Sequence, residues 1–243
     1  LPRKAKINVF RKATRASRTA NVGGGWPESW KDSRVLDRMT WFGHDAFLLE
    51  GPPVVYVDPI CVPSGPKADL ILVTHGHFDH CSPMDIAEIS TPETVLVCPQ
   101  DCCVSCRDLV GDVMIAEPGT HISLLGIEIK AIPAYTRRRR LHSRANGWLG
   151  YLITRKRERW YHAGDTDYIT EMQDVVADIA CLPVSGGTVM NPIEAAAAAD
   201  CIGAGVSLPM HYGTFVGDLE HAERFRDRAK SPVRILAPYD RAV

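Results

Sequence analysis

The chain has 243 residues, 45% of them hydrophobic and 23% charged, with a formal net charge of −1. This is the balance of an ordinary globular protein, long enough to bury a core that needs no disulfide staples. No apolar run approaches the ~20 residues of a membrane span, so a membrane partner is not expected. The start, Leu1-Pro2-Arg3-Lys4, also lacks the apolar region of a secretory signal.

Charge divides the chain into two parts. Residues 1–36 carry nine Lys/Arg against Glu28 and Asp32, whereas the remainder carries nineteen basic and twenty-seven acidic residues. A basic arm over 1–36 is therefore expected, followed by an acidic domain over 37–243. Such an arm can contact nucleic acid or anionic lipid. The favoured reading is that it folds onto its own domain or onto a second subunit, giving a homo-oligomer. Gly23-Gly24-Gly25-Trp26-Pro27 supplies a flexible break near the end of the arm.

From residue 38 the pattern is strand-rich. Short apolar runs at 40–42, 46–49 and 54–57, separated by glycine-bearing turns, predict a meander. A buried strand is expected at 70–73 and a helix at 83–89, with Ser82 as its cap and Pro83 at its first position. Further strands are predicted at 94–97, 113–115, 121–124, 127–132, 149–154, 159–162, 179–184 and 206–209. Helices are predicted at 99–110, at 192–202 with Asn191 as its cap, and at 219–230. Strands alternating with helices, with no long linker, predict one layered α/β domain.

Of the eight cysteines, Cys61, Cys81, Cys181 and Cys201 stand singly in or beside apolar segments, where a free thiol acts as a small hydrophobe. Cys98, Cys102, Cys103 and Cys106 crowd together in and just before the 99–110 helix. No second C-x-x-C follows at zinc-ribbon spacing, so a structural role is expected, in a reducing cytoplasm.

The strand at 70–73 leads into Thr74-His75-Gly76-His77-Phe78-Asp79-His80. Three imidazoles and a carboxylate in seven residues are the donors that suit zinc and its first-row neighbours. His75 and His77 could reach one ion while Asp79 and His80 turn toward a second. Two later strand ends add donors, Asp165 in His162-Ala163-Gly164-Asp165 and His211 in Pro209-Met210-His211-Tyr212-Gly213. Convergence at strand ends is how α/β proteins assemble sites.

In this order the motifs resemble those of the metallo-β-lactamase-fold hydrolases. The match is closer still, over about residues 38–230, to the metal-dependent hydrolases related to the ascorbate-phosphate lactonases. It rests on Gly43-His44-Asp45-Ala46-Phe47-Leu48, THGHFDH, AIPAY, YHAGDTD and PMHYG. The resemblance implies a four-layer αββα sandwich with a dinuclear site at one edge of the sheets. It implies that His75 and His77 bind a first metal, that Asp79, His80 and His211 bind a second, and that Asp165 bridges both. Many relatives place another histidine after the strand ending at Ala134, where this chain reads Tyr135-Thr136. The candidate replacement is His142, in a loop. His44 is expected to hydrogen-bond in the pocket or touch substrate, and His162 to orient a neighbouring group.

Two divalent ions, expected to be zinc with manganese, iron or nickel as alternatives, would hold a bridging hydroxide near neutral pH. Asp79 would orient it and shuttle its proton, with Tyr212 or a free histidine protonating the leaving group. Arg137, Arg138, Arg139, Arg140 and Arg144 flank His142 and would attract phosphate or carboxylate. The expected substrate is a small anionic ester, lactone or phosphodiester, with β-lactams less favoured. A nuclease of the same fold, or a metal-binding regulatory protein with weakened catalysis, is the alternative.

Overall fold

The computed structural model describes residues 36–63, 65–137 and 141–238. A 3-10 turn, Leu36–Arg38, leads into the first six-stranded sheet. Its strands are β1 (Met39–Gly43), β2 (Ala46–Leu49), β3 (Val55–Val57), β4 (Leu70–Leu72), β5 (Val95–Cys98) and β6 (Asp112–Ile115), in that spatial order. The second sheet holds β7 (His121–Leu124), β8 (Ile127–Pro133), β9 (Leu149–Arg155), β10 (Glu158–His162), β11 (Ile179–Pro183) and β12 (Val206–Met210). Both sheets begin as antiparallel meanders, β1-β2-β3 and β7-β8-β9-β10, and end in parallel pairs. Parallel neighbours require a crossover. Helices α1 (Pro83–Ile89), α2 (Gln100–Cys106) and α3 (Pro192–Ile202) supply crossovers, and α4 (Leu219–Arg228) follows β12.

Strand side chains alternate between the two faces of a sheet, and the core divides accordingly. Phe47, Leu49, Val55, Val57, Leu70, Leu72 and Val97 face the second sheet, where they meet Ile129, Tyr151, Ile153 and Trp160. The intervening Leu48, Tyr56, Ile71, Leu96 and Cys98 face outward, onto Ile86 and Ile89 of α1 and Cys102 and Cys106 of α2. On the other side, Ala195, Ala196, Ala198 and Ala199 of α3 are buried in the core shared with β11. The small side chains let that helix sit close to the sheet. The predicted four layers are thus present: helices, two sheets, helices.

Helix caps agree with the sequence. The Ser82 hydroxyl accepts the Asp85 N–H at 3.3 Å, and Asn191 forms a reciprocal capping box with Glu194. The predicted 99–110 helix instead ends at Cys106, whose φ of −120° leaves helical geometry, and tightens into a 3-10 turn at Arg107–Leu109. Cys61 also departs from expectation: it is exposed in the loop after β3, with φ +53°. Cys81, Cys98, Cys102, Cys106 and Cys181 are buried thiols in no disulfide, as expected of small hydrophobes. The basic arm over 1–36, and any oligomer contact through it, lies outside the described residues apart from Leu36. No helix among the described residues is long and apolar enough to cross a membrane.

Candidate metal centre

The turn after β4 is built around Asp58, which follows β3 and is fully buried. Its Oδ1 accepts the Thr74 N–H at 2.7 Å, and its Oδ2 accepts the Thr74 hydroxyl at 2.6 Å and His80 Nδ1–H at 2.8 Å. With its proton committed to Asp58, the Thr74 oxygen can only accept from His75 Nδ1, 3.0 Å away. One carboxylate thereby orients two histidines and turns both Nε2 atoms into the site. The chain reverses through His80 N–H and Cys81 N–H donating to His77 O. Gly76 allows the turn to lie against α2, since a Cβ there would fall 2.9 Å from Asp101 Oδ2.

Two donor sets meet across Asp165. In the first, His77 Nδ1 lies 3.0 Å from His75 Nε2 and 3.3 Å from His142 Nε2. Asp165 Oδ2 lies 3.5 Å from His142 Nε2 and 3.9 Å from His75 Nε2. In the second, Asp165 Oδ1 lies 3.2 Å from His211 Nε2 and 3.5 Å from His80 Nε2. Asp79 Oδ2 lies 3.9 Å from His80 Nε2 and 3.1 Å from His44 Nε2. The donor atoms of His75, His77, His142 and Asp165 all fall within 4.8 Å of one another, as do those of His44, Asp79, His80 and His211.

Polar atoms buried this way need partners. His80 Nε2 and Asp165 Oδ1 have no hydrogen-bond partner, and neither oxygen of fully buried Asp45 has one. Burial alone would raise the Asp165 pKa, yet the carboxyl is held well below the usual range by His211 and His80. Burial opposes the charged form of His80, but Asp165 and Asp58 outweigh it and lift its pKa to about 10. Burial drives His75 well below the ordinary imidazole value. Asp79 drops to about 2, because the His44 hydrogen bond and His80 overcome its desolvation. Asp45, with burial dominant, rises to about 8. Buried nitrogen and carboxylate donors crowded on one another, several without a hydrogen-bond partner, fit divalent cations of the zinc class.

His142, the candidate replacement, is brought into the first set. Thr136 N–H donates to His142 O at 2.7 Å, which sets His142 beside the position where a histidine was missing. His142 Nδ1–H then donates to Thr188 O at 2.9 Å, leaving Nε2 facing Asp165. Gly164, at φ +62°, lies where a Cβ would be 2.6 Å from Leu149 O, and this close approach presents Asp165. His211 Nδ1 is held by Ser185 Oγ at 2.8 Å. His162 sits behind the centre, donating to Asp45 O at 3.0 Å. His44, Asp58 and His211 all have left-handed φ, between 45° and 59°, a strain that clusters at functional sites.

Other expected residues are not gathered. Tyr212 leaves the chain away from His211, buried in the inter-sheet core with its ring on Trp41 at 4.9 Å, so its role as proton donor loses support. Arg144 pairs with Glu171 at 3.0 Å and lies over Tyr135 instead of facing the donors. Arg137 donates its backbone N–H to Asp167 Oδ2 and its guanidinium to Tyr168 O. It lines a polar cleft with Asp167, Gly186, Gly187, Val189, Asn191 and Glu194. Arg138, Arg139 and Arg140 lie outside the described residues. Sequence reasoning missed Asp58, whose Asp-Pro step reads as a strand end, and Asp45, hidden beside His44. It also missed Trp148, which walls the first set with its ring 4.6 Å from His75 and 4.8 Å from His77. No local pattern marks these three, since their partners are distant in sequence.

A family model described as a beta-lactamase superfamily domain matches residues 38–211. A UPF0173 metal-dependent hydrolase of Thermoplasma acidophilum is 36% identical over 205 residues, covering 78% of this chain and 89% of that protein. One from Methanoculleus marisnigri is 33% identical over 209 residues, covering 78% and 87%. Among solved structures, a Parabacteroides distasonis protein superposes with a TM-score of 0.71 at 30% identity, over 82% of this chain and 91% of its own. Igni18, a metallo hydrolase from Ignicoccus hospitalis, gives 0.68 at 25% identity, over 83% and 95%. The chain belongs to the beta-lactamase superfamily, in the branch of the UPF0173 metal-dependent hydrolases.

Proposed function

We propose that this chain is a hydrolase working with two divalent ions, zinc the first candidate, on an ester, lactone or phosphodiester that carries negative charge. The observation that carries this reading is Asp165: it is buried, with one oxygen facing His75, His77 and His142 and the other facing His80 and His211. His75, His77, His142 and Asp165 would hold one ion, and Asp79, His80, His211 and Asp165 the other. The donor sets support the number: His75, His77, His142 and Asp165 form one group and His44, Asp79, His80 and His211 another, each with its donor atoms within 4.8 Å of one another. When bound, the ions would polarise the scissile group and acidify water.

The residues divide the remaining work. Asp79 has part of its carboxylate open to the mouth and would accept a proton from the attacking water, where a well-placed base contributes ~100-fold or more. His44 Nε2–H steadies that carboxylate at 3.1 Å. Asp58 keeps His75 and His80 oriented with Nε2 toward the site. Arg137, in the polar cleft beside the His142 loop, would attract the substrate's negative charge.

The test pairs metal analysis with hydrolysis. The wild-type chain should bind about two equivalents of Zn²⁺ or Mn²⁺ and cleave members of a panel of bis-p-nitrophenyl phosphate and anionic lactones. His77→Ala and Asp165→Ala should lose hydrolysis while keeping wild-type circular dichroism. Full activity in both variants would overturn the site assignment.

A further inference from the structure

Aromatic side chains open to water forgo hydrophobic burial, and two of them stand at the mouth of the metal centre. Phe78, between His77 and Asp79, is 73% exposed, and Phe215 is 43% exposed. Their rings meet edge to face with centroids 5.7 Å apart. Phe215 also stands edge-on to His44 at 5.2 Å, and His44 reaches Asp79 Oδ2 at 3.1 Å. The lip thus adjoins the Asp79 carboxylate, Phe78 as its chain neighbour and Phe215 through His44. The loop carrying Phe215 is braced. Gly213 N–H donates to Val216 O at 2.9 Å, and Thr214 Oγ1 fills the space beside Gly43, 2.7 Å from where a Cβ would lie.

We propose that Phe78 and Phe215 form an apolar subsite that takes an aryl or medium-chain acyl group of the substrate, beside Asp79. This rests on the hydrolase reading above and specifies its substrate. The two sides of the mouth differ in chemistry. The Asp79 and His211 side carries the aromatic lip, whereas the His142 side adjoins the polar cleft of Arg137, Asp167, Asn191 and Glu194. An amphipathic ester lies across them with its apolar end on the lip and its polar end toward the cleft. Two partly open phenylalanines present on the order of 200 Å². That matches a small apolar group and falls well short of the ~800 Å² that each partner of a stable protein interface contributes.

The experiment uses the metal-loaded full chain with methylphosphonate and phenylphosphonate as probes, measured by titration calorimetry. Wild type should bind phenylphosphonate ~10-fold more tightly than methylphosphonate. In the Phe78→Ala/Phe215→Ala double variant that ratio should fall toward one. Both positions are exposed, and metal content with near-ultraviolet circular dichroism checks the fold. Absence of a phenyl preference in wild type, or its survival in the double variant, overturns the proposal. So does a double variant that keeps the ratio but dissociates a dimer by light scattering, which makes the lip a contact between copies. Failure of the metal-centre reading shows separately, as phosphonate affinity that chelation leaves unchanged.

Discussion

Asp45 concentrates the energetic tension of the site in one residue. Its carboxylate is fully buried, neither oxygen has a hydrogen-bond partner, and it lies near His80 and Asp165. Burial lifts its pKa to about 8, against 3.8 for the free group. A carboxyl with a raised folded-state pKa contributes stability that is complete below the unfolded value. That stability is lost as pH rises through the folded one, at about 1.4 kcal/mol per unit. In metal-free protein, Asp45→Asn should therefore be increasingly more stable than wild type as pH goes from about 4 to about 8. With ions bound the advantage should reverse, because the variant forfeits a negative charge beside them. Urea unfolding across that pH range, with and without metal, measures both effects, and a pH-independent difference would count against the assignment.

Among the elements, the helices show how local chemistry and site chemistry separate. Asn191 accepts the Ile193 and Glu194 N–H groups at 2.9 and 3.0 Å, while Glu194 accepts Asn191 N–H at 3.0 Å. Asn191→Ala should cost about 1 kcal/mol of stability, read as a lower urea midpoint, with metal content unchanged. A loss of bound metal would show that α3 is coupled to the centre. The backbone bond from Thr136 to His142 is the opposite case, since it positions a candidate ligand and no secondary-structure propensity specifies it. The helix expected over 99–110 is shorter than its apolar pattern. Cys102 and Cys106 pack against Ile71, Leu96 and Cys98 of the sheet, and Leu109 and Val110 reach the same cluster from the 3-10 turn that follows Cys106 and from its end.

At the scale of the molecule, the centre ties the two sheets together. Asp58, the His75–His80 turn and His44 come from the first sheet, and Asp165 and His211 from the second. Ions held by these donors would bridge both halves of the sandwich, and ligands that bind only the folded state stabilise it. In the metal-free protein His80 keeps a proton at neutral pH, its pKa lifted to about 10 by Asp165 and Asp58 despite burial. Loading must expel it. Titration calorimetry at pH 7 in two buffers of different ionisation enthalpy should show release of about one to two protons, with affinity rising as pH rises. Heats identical in both buffers would contradict a protonated His80.

Most elements were legible in the sequence because they depend on neighbours along the chain. Short apolar runs marked β2 and β4, Ser82-Pro83 and Asn191-Pro192 marked helix starts, and the seven-residue histidine turn announced a metal by composition alone. The alternation of Phe47 and Leu49 against Leu48 even encodes which face meets the second sheet. Tertiary structure decided what depends on distant partners. It brought His142 into the place left by Tyr135-Thr136, sent Tyr212 into the core, tied Arg144 to Glu171, and revealed Asp58 as the carboxylate that orients two histidines. A side chain's type and local pattern belong to the sequence, whereas the direction of its lone pair and the charge of its surroundings are set only when remote segments pack.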